Sequence, residues 1–229
     1  MNTRAPDTFS IQHTRDAAGE LFIWTNIDPA HEDDFNRWYD REHMAERAAI
    51  PGFVWARRYR AHSGPRRYLA LYRTDTVHTF LSAPYKKAFE HQTAWSVANF
   101  ARMRDTTRRV TIVSPLTPPG TGSALTLIQL GDAAQAERAV HAIARVAGTM
   151  DGLLSARVLT PDASLSTPLP APGANNVIEP YLVVDCNSQQ VAAAVSRLLI
   201  DALDLGPQQA CTFALLWELR SADLAPLMR

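Results

Sequence analysis

Short runs of apolar residues alternate with helical patterns along the chain, which predicts eight strands and four helical regions. The first run, LFIWTNI at residues 21–27, is rich in the aromatic and β-branched side chains that strands favour. Asp28 and Pro29 then provide a helix N-cap and a first-turn proline. We expect this helix to run through His43 and to end before Pro51, because the residue before a proline avoids helical geometry.

The remaining elements follow the same order twice. Further strands are predicted at residues 53–60, 67–73 and 108–113, with a helical region at residues 76–104. The Pro/Gly-rich stretch at residues 115–122 is the clearest linker. Beyond it, strands are predicted at residues 124–130, 153–159, 177–185 and 212–219, and helices at residues 133–147 and 189–203. We therefore predict two βαββαβ domains, residues 1–115 and residues 116–229, the second a degenerate copy of the first.

Several of these strands, such as YLALY and TFALLW, are apolar on both faces. Helices cover only one face of a βαββαβ sheet, so the other face must also be buried, and the sheet of the other half is the nearest candidate. We predict an α+β fold in which two ferredoxin-like βαββαβ repeats pack sheet to sheet as an intramolecular α+β barrel. The alternative, two independent domains, would leave large apolar patches in water.

Composition and charge narrow the function classes. The 229 residues carry 23 basic and 23 acidic side chains, so no global field favours nucleic acid or an anionic membrane. The sequence has no apolar run of bilayer length, no signal-peptide core and no CxxC pair, and we expect its two cysteines to be buried free thiols. We therefore expect a cytoplasmic protein with a small-molecule substrate and with neither a nucleic-acid nor a membrane partner.

The stretch richest in chemical groups is FNRWYDREHMAERAAIPGFVWARRY, at residues 35–59. Phe35, Tyr39 and His43 are spaced four apart, so they form one ridge of a helix. His43 could give or take a proton near neutral pH, or could instead cap helix-end carbonyls. Tyr39 could orient it or polarise a carbonyl. Asn26, on the first strand, could orient a ligand oxygen or could bond the adjacent loop.

Aromatic and basic side chains around this stretch could form a binding wall. An inward-facing Arg58 could clamp a carboxylate or phenolate, with a solvated hairpin face as the alternative. Aromatic walls suit an aromatic or polyketide-like ligand. The candidate substrate-binding residues are Trp24, Trp38, Phe53, Arg58, Tyr72 and Trp95. The sequence contains no motif for nucleotide binding, serine hydrolysis or metal ligation, so no metal is expected.

The helix with WYDREH, the PGF turn and the strand VWARRY resemble the EthD-like group of the dimeric α+β barrel superfamily. The resemblance covers residues 20–113, and the second half lacks the motif. It implies a small apolar ligand between sheet and helices or inside the barrel. The superfamily includes cofactor-free monooxygenases, lactone isomerases, polyketide cyclases and haem-dependent enzymes.

We predict a cofactor-free enzyme that acts on a small aromatic or carbonyl-bearing metabolite by general acid/base chemistry, of the lyase, isomerase, cyclase or dehydratase type. His43 would be the general acid/base, and Tyr39 and Asn26 would polarise or orient the substrate. The alternatives are a cofactor-independent monooxygenase and a non-catalytic binding protein that uses the same cavity. Haem binding is a further alternative, because a single axial histidine is enough to hold a haem. A homodimer is also compatible with the fold.

Overall fold

The computed structural model describes residues 16–166 and 178–224, and within them it has eight strands and seven α-helices. The strands are β1 (Gly19–Ile27), β2 (Phe53–Ser63), β3 (Tyr68–Thr74), β4 (Met103–Pro115), β5 (Ala124–Gln129), β6 (Leu153–Pro161), β7 (Tyr181–Cys186) and β8 (Ala210–Arg220). The helices are α1 (Glu32–Trp38), α2 (Met44–Ala48), α3 (Ala83–Glu90), α4 (Ala94–Arg102), α5 (Ala133–Ala147), α6 (Gln189–Leu203) and α7 (Ser221–Leu224).

The eight strands close into one antiparallel barrel in the order β1-β3-β2-β8-β5-β7-β6-β4. Strands of the first and second halves are hydrogen-bonded directly, β2 with β8 and β4 with β6. The predicted α+β barrel is therefore confirmed, and the contact between the halves includes paired strand edges as well as packed faces. That the two halves are ferredoxin-like repeats, with a domain boundary after residue 115, stays a prediction.

Apolar side chains fill three layers, as expected for strands that are apolar on both faces. The barrel interior holds rings and aliphatic chains from both halves, including Phe22, Leu71, Val183 and Phe213. A second layer lies between the first-half strands and helices α1 to α4, and a third between the second-half strands and helices α5 and α6. Helices thus cover the outside of the barrel, and side chains fill its interior.

One end of the barrel interior contains a buried cluster of charges. Glu20 is fully buried and accepts hydrogen bonds from Arg73 Nε (3.0 Å) and Arg157 Nε (2.8 Å). Arg157 also donates to Asp185 Oδ2 (2.7 Å), and Arg57 Nη1 lies 3.7 Å from Asp185 Oδ1. Each buried carboxylate therefore faces at least one guanidinium, which is the condition for keeping such charges out of water.

The structure refines several predicted elements. The Asp28 N-cap is confirmed, since its side chain accepts a hydrogen bond from the Ala30 amide (3.1 Å). The helical region predicted at residues 76–104 is a short 3₁₀ helix followed by α3 and α4, which Ser82 and Thr93 cap. The strand predicted from residue 177 begins at Tyr181, and residue 177 lies outside the described residues.

Residues 16–166 and 178–224 also bear on membrane and metal binding. None of the helices there combines the length and apolarity needed to cross a bilayer. Those residues contain no cluster of three or more His, Cys, Asp or Glu side chains that could hold a metal ion. Cys186 and Cys211 are both buried and free, as expected. The cellular compartment stays a prediction.

Candidate functional site

A π-helical turn, Tyr39–His43, interrupts the first helix between α1 and α2. Its backbone closes with a bond from the Met44 amide to the Tyr39 carbonyl, five residues back. A π-turn inserts one extra residue, and such turns are frequent at functional sites. Tyr39 and His43 are both buried here, at 2% and 5% exposure. The sequence-predicted ridge is therefore present, but its pitch is set by the π-turn.

His43 sits among aromatic rings. Its imidazole stacks on Trp38 (centroids 4.2 Å apart, 27° between planes) and meets Tyr39, Tyr72 and Phe100 edge-on. Its Nδ1 atom is buried and has no hydrogen-bond partner, since Glu46 Oε2 is 4.0 Å away. A helix-end cap would occupy such a nitrogen, so the structure gives no support to that alternative.

The electrostatics keep this imidazole neutral. Burial lowers the pKa of His43 well below 6.5, and the nearby Arg47 and Arg58 guanidiniums lower it further. The ring therefore carries a lone pair at neutral pH and can accept a proton or bind a metal ion.

Two tyrosines flank the imidazole. Burial raises the pKa of Tyr39. It also raises the pKa of Tyr72 well above the ordinary value, with a further contribution from the neighbouring Tyr39 hydroxyl. The Tyr72 hydroxyl is buried, and its approach to Tyr39 does not reach hydrogen-bond geometry. Both phenols thus stay protonated and can donate a hydrogen bond to a ligand oxygen.

These side chains face a cavity of about 460 Å³ between the helices and the outer face of β1, β3 and β4. Its lining residues are Leu21, Ile23, Tyr39, His43, Arg47, Tyr72, Tyr85, Phe89, Gln92, Phe100, Met103, Thr106, Arg108 and Arg109. All of them belong to the first half of the chain. A mostly apolar cavity of this size with a few convergent polar groups is typical of a small-molecule site.

Two other cavities lie among the described residues and are more polar in character. One, of about 540 Å³, is bounded by Arg58, Asp40 and Trp217. The other, of about 740 Å³, lies at the charged end of the barrel and is lined by Arg57 and Arg157, among others. We place the candidate site in the 460 Å³ cavity, because of the three it is the one where an imidazole and two phenols converge on apolar walls.

Of the sequence candidates, His43, Tyr39 and Tyr72 come together at this cavity. Trp38 lies directly behind His43 and donates from Nε1 to Ser96 Oγ (3.1 Å). Arg58 lies behind Tyr39, with its guanidinium 4.1 Å from the ring centroid. These two residues shape the site without lining it.

Phe53, Trp95 and Trp24 lie farther away. Phe53 packs behind Tyr85, with ring centroids 6.0 Å apart. Trp95 is half-buried and donates to Asp34 Oδ2 (3.2 Å). Trp24 points into the barrel interior, because β1 alternates its side chains between the two faces of the sheet.

Asn26 also lies away from the cavity. A register irregularity between Trp24 and Asn26 disturbs the pairing of β1 with β4. The Asn26 amide then holds the hairpin loop, donating to the Pro65 carbonyl (3.2 Å) and accepting from the Arg67 amide (2.9 Å). This is the loop-bonding alternative, so Asn26 is not positioned to orient a ligand in this cavity.

Sequence reasoning missed several lining residues. Arg47 continues the four-residue spacing of Phe35, Tyr39 and His43, so that spacing was the signal that could have found it. Tyr85, Phe89 and Phe100 come from helices α3 and α4, and Arg108 comes from β4. No sequence pattern marks these as neighbours of His43, because the barrel topology brings them there.

No protein-family model and no curated protein matches the chain. Solved structures do match over most of its length. The match to an anthrone oxidase-like protein spans 90% of this chain and 94% of that protein, with 11% sequence identity and a TM-score of 0.61. The match to a monooxygenase-like protein from Lactobacillus acidophilus spans 90% of this chain and 94% of that protein, with 10% identity and a TM-score of 0.50. The match to a haem-binding protein from Thermus thermophilus spans 95% of this chain and 99% of that protein, with 10% identity and a TM-score of 0.50.

The haem-binding relative contradicts the expectation of a site without a cofactor. The residues at the cavity fit the needs of haem: neutral His43 can ligate iron, and Arg47 and Arg108 can face propionates. The EthD-like resemblance is not tested by these structures. At such low identities the likeness shows the fold alone, and the chain shares the α+β barrel fold of these structures.

Proposed function

We propose that the protein is an oxygenase-type enzyme that oxidises a small aromatic substrate in the cavity at His43. The observation that carries the proposal is a neutral, buried imidazole that faces an apolar cavity beside two protonated phenols. Fold relatives named anthrone oxidase-like and monooxygenase-like support this alternative over the lyase or isomerase chemistry expected from the sequence.

The cavity residues would act on the proton of an aromatic substrate with an acidic O–H or activated CH₂ group. His43 takes that proton, and the negative charge that develops beside the ring raises the imidazole pKa in the complex. Tyr39 or Tyr72 donates a hydrogen bond to the resulting oxyanion. Molecular oxygen accepts the electrons. For a CH₂ group, one oxygen atom becomes the new carbonyl and the other leaves as water.

The test is turnover of a panel of anthrones and polycyclic phenols, with oxygen consumption and ¹⁸O incorporation followed by mass spectrometry. His43→Gln should lower kcat/KM by about 10²- to 10⁴-fold, the usual contribution of a positioned general base. His62→Gln, at an exposed site on β2, is the matched control. Full activity of His43→Gln would contradict the proposal. Product formation without oxygen would favour a lyase or isomerase instead.

Haem binding in the same cavity is the second candidate, favoured by His43, whose Nδ1 has no hydrogen-bond partner, and by Arg47 and Arg108 at the cavity. Haem would supply oxygen activation, while His43 would hold the iron and the aromatic walls would exclude water. Adding haemin to the same preparation separates the candidates. A Soret band that His43→Gln abolishes and His62→Gln retains supports haem, and turnover unaffected by haemin supports proton transfer.

That the substrate is a small molecule and that the protein forms a homodimer are parts of this proposal. The cavity volume of about 460 Å³ suits a ligand of a few fused rings. The oligomeric state can be read from the mass of the purified protein in solution.

A further inference from the structure

Arg47 is a buried cation at the cavity that lacks a carboxylate partner. Its residue exposure is 5%, its Nη2 donates to the Ala88 carbonyl (3.2 Å), and its Nε has no hydrogen-bond partner. Over residues 16–166 and 178–224, no carboxylate oxygen forms a salt bridge with it within 4.0 Å. A single backbone carbonyl is a weak counterpart for a full charge out of water.

Other buried arginines of this protein show what Arg47 lacks. Arg57 pairs with Glu218 (2.5 Å), Arg58 with Asp40 (3.6 Å) and Arg157 with both Glu20 and Asp185. The fold therefore supplies a carboxylate to each of these three buried guanidiniums, even where the two partners come from distant parts of the chain.

Arg109 shares the absence of a carboxylate but not the position of Arg47. Its cross-strand neighbour on β1 is Phe22, whose ring stacks on Tyr181 in the barrel interior (4.5 Å). Paired residues point to the same face of a sheet, so the Arg109 side chain lies on the lumen side of β4. Arg109 therefore borders the cavity from the lumen side, whereas Arg47 is, among the described residues, the unpaired buried guanidinium whose charge acts on His43, Tyr39 and Tyr72.

The charge of Arg47 is close enough to act on all three of those groups. It lowers the pKa of His43, after burial, and it lowers the pKa values of Tyr39 and Tyr72 against the larger raising effect of burial. A guanidinium cannot shed its proton to relieve its own burial, as a lysine would. Glu46 interacts with this charge only from beyond salt-bridge distance, so an anion that enters the cavity would be its first direct counter-charge.

We propose that Arg47 is the specificity-determining residue of the cavity and pairs with an anionic oxygen, carboxylate or ionised phenol, on a planar aromatic ligand. The inference deepens the proposed function by naming the charge of its substrate. The apolar walls bury the rings, and the desolvated Arg47 recognises the oxygen with the planar geometry that suits carboxylates. Neutral aromatics of the same shape leave the cation unpaired.

The experiment is calorimetric titration of the purified full-length protein, without turnover, with benzoate, naphthoate and anthracene carboxylate, each beside its own carboxamide. The wild type should bind at least one carboxylate roughly 30-fold or more tightly than the matching amide, the usual weight of a buried charge pair. Arg47→Met should lose this preference, and Arg47→Lys should keep part of it. Arg145→Met, at an exposed site on α5, should behave as the wild type.

The inference is overturned if no carboxylate of the series binds the wild type better than its amide, or if folded Arg47→Met keeps the wild-type preference. Arg47→Gln, which retains a donor for the Ala88 carbonyl, supplies the same test should the methionine variant not fold. Binding and oxidation are measured separately, so failure of the inference can be distinguished from failure of the proposed reaction. A preference without oxidation of any tested aromatic would keep the inference and remove the proposed reaction, whereas oxidation with equal binding of acids and amides would do the reverse.

Discussion

His43 shows how the surroundings of one side chain decide its chemistry. On a helix surface this imidazole would titrate near neutral pH and would be partly charged. Here Trp38 and Phe100 exclude water from the ring, and the positive Arg47 lies nearby. Both effects disfavour the imidazolium, so the free protein holds a neutral ring ready to accept a proton.

The pH dependence of activity follows from this shift. Catalysis needs the neutral form, which is present above the folded-state pKa and lost as the pH falls through it. Because the pKa of His43 is lowered well below 6.5, the acid limb of the kcat/KM profile should lie below pH 6.5. Stopped-flow or steady-state assays between about pH 4 and 8 measure it. An acid limb at or above 6.5 would mean that His43 is not the titrating base.

Sequence reasoning at this scale succeeded where helical spacing carried the information. Tyr39 and His43 share a ridge because they are four residues apart, and the same spacing reaches Arg47. Asn26 is different: its amide is bonded to the hairpin loop, at a point where the pairing of β1 with β4 is irregular. No residue pattern in the sequence indicates such an irregularity.

At the scale of the elements, the π-turn Tyr39–His43 is the feature that hydrophobic spacing could not predict. Patterns of period three to four fit an α-helix and a helix with one inserted residue almost equally well. Two contacts hold the insertion: a tertiary hydrogen bond from Trp38 to Ser96 on α4, and the local stacking of His43 on Trp38. Sequence reading therefore found the ridge and missed its irregular turn.

Deleting Arg41 tests whether this turn is needed. Arg41 is exposed in the middle of the π-turn, and its removal should convert the turn to an α-turn and disturb the stacking of His43 on Trp38. We expect loss of activity and a fall in the free energy of unfolding of about 2 kcal/mol or more, as for other core disruptions. Urea unfolding and the oxygen-consumption assay measure the two effects.

Arg41→Ala is the control for that deletion, because it removes the same side chain without changing the length of the turn. It should stay within about 0.5 kcal/mol of the wild type, as surface substitutions usually do. If the deletion variant matched Arg41→Ala in both stability and activity, the π-turn would have no role in placing His43.

At the scale of the whole molecule, the two halves contribute unequally. All lining residues of the candidate cavity come from the first half, whereas the barrel is closed by pairing of both halves. Strands apolar on both faces made the buried inner face predictable. The strand order and the charged cluster were not predictable, because Glu20 and Arg157 are 137 residues apart and neither lies in a recognisable motif.

Because the charged cluster is buried, replacing one of its charged residues by an uncharged one should destabilise the closed barrel. Burial alone would raise the pKa of Glu20, but Arg157 and Arg73 bring it below 4.5, so the carboxylate is ionised at neutral pH. Its stabilising effect should be fully present above pH 4.5 and lost as the pH falls through the folded-state pKa.

Glu20→Gln keeps the size of the side chain and removes the charge, leaving Arg157 and Arg73 one carboxylate short. Breaking a buried pair in this way costs about 3–5 kcal/mol, so the urea midpoint at neutral pH should fall sharply. Glu137→Gln, at an exposed site on α5, should leave the midpoint unchanged. Because Glu20 belongs to the first half and Arg157 to the second, a near-wild-type midpoint for Glu20→Gln would show that apolar packing and strand pairing hold the halves together without the cluster.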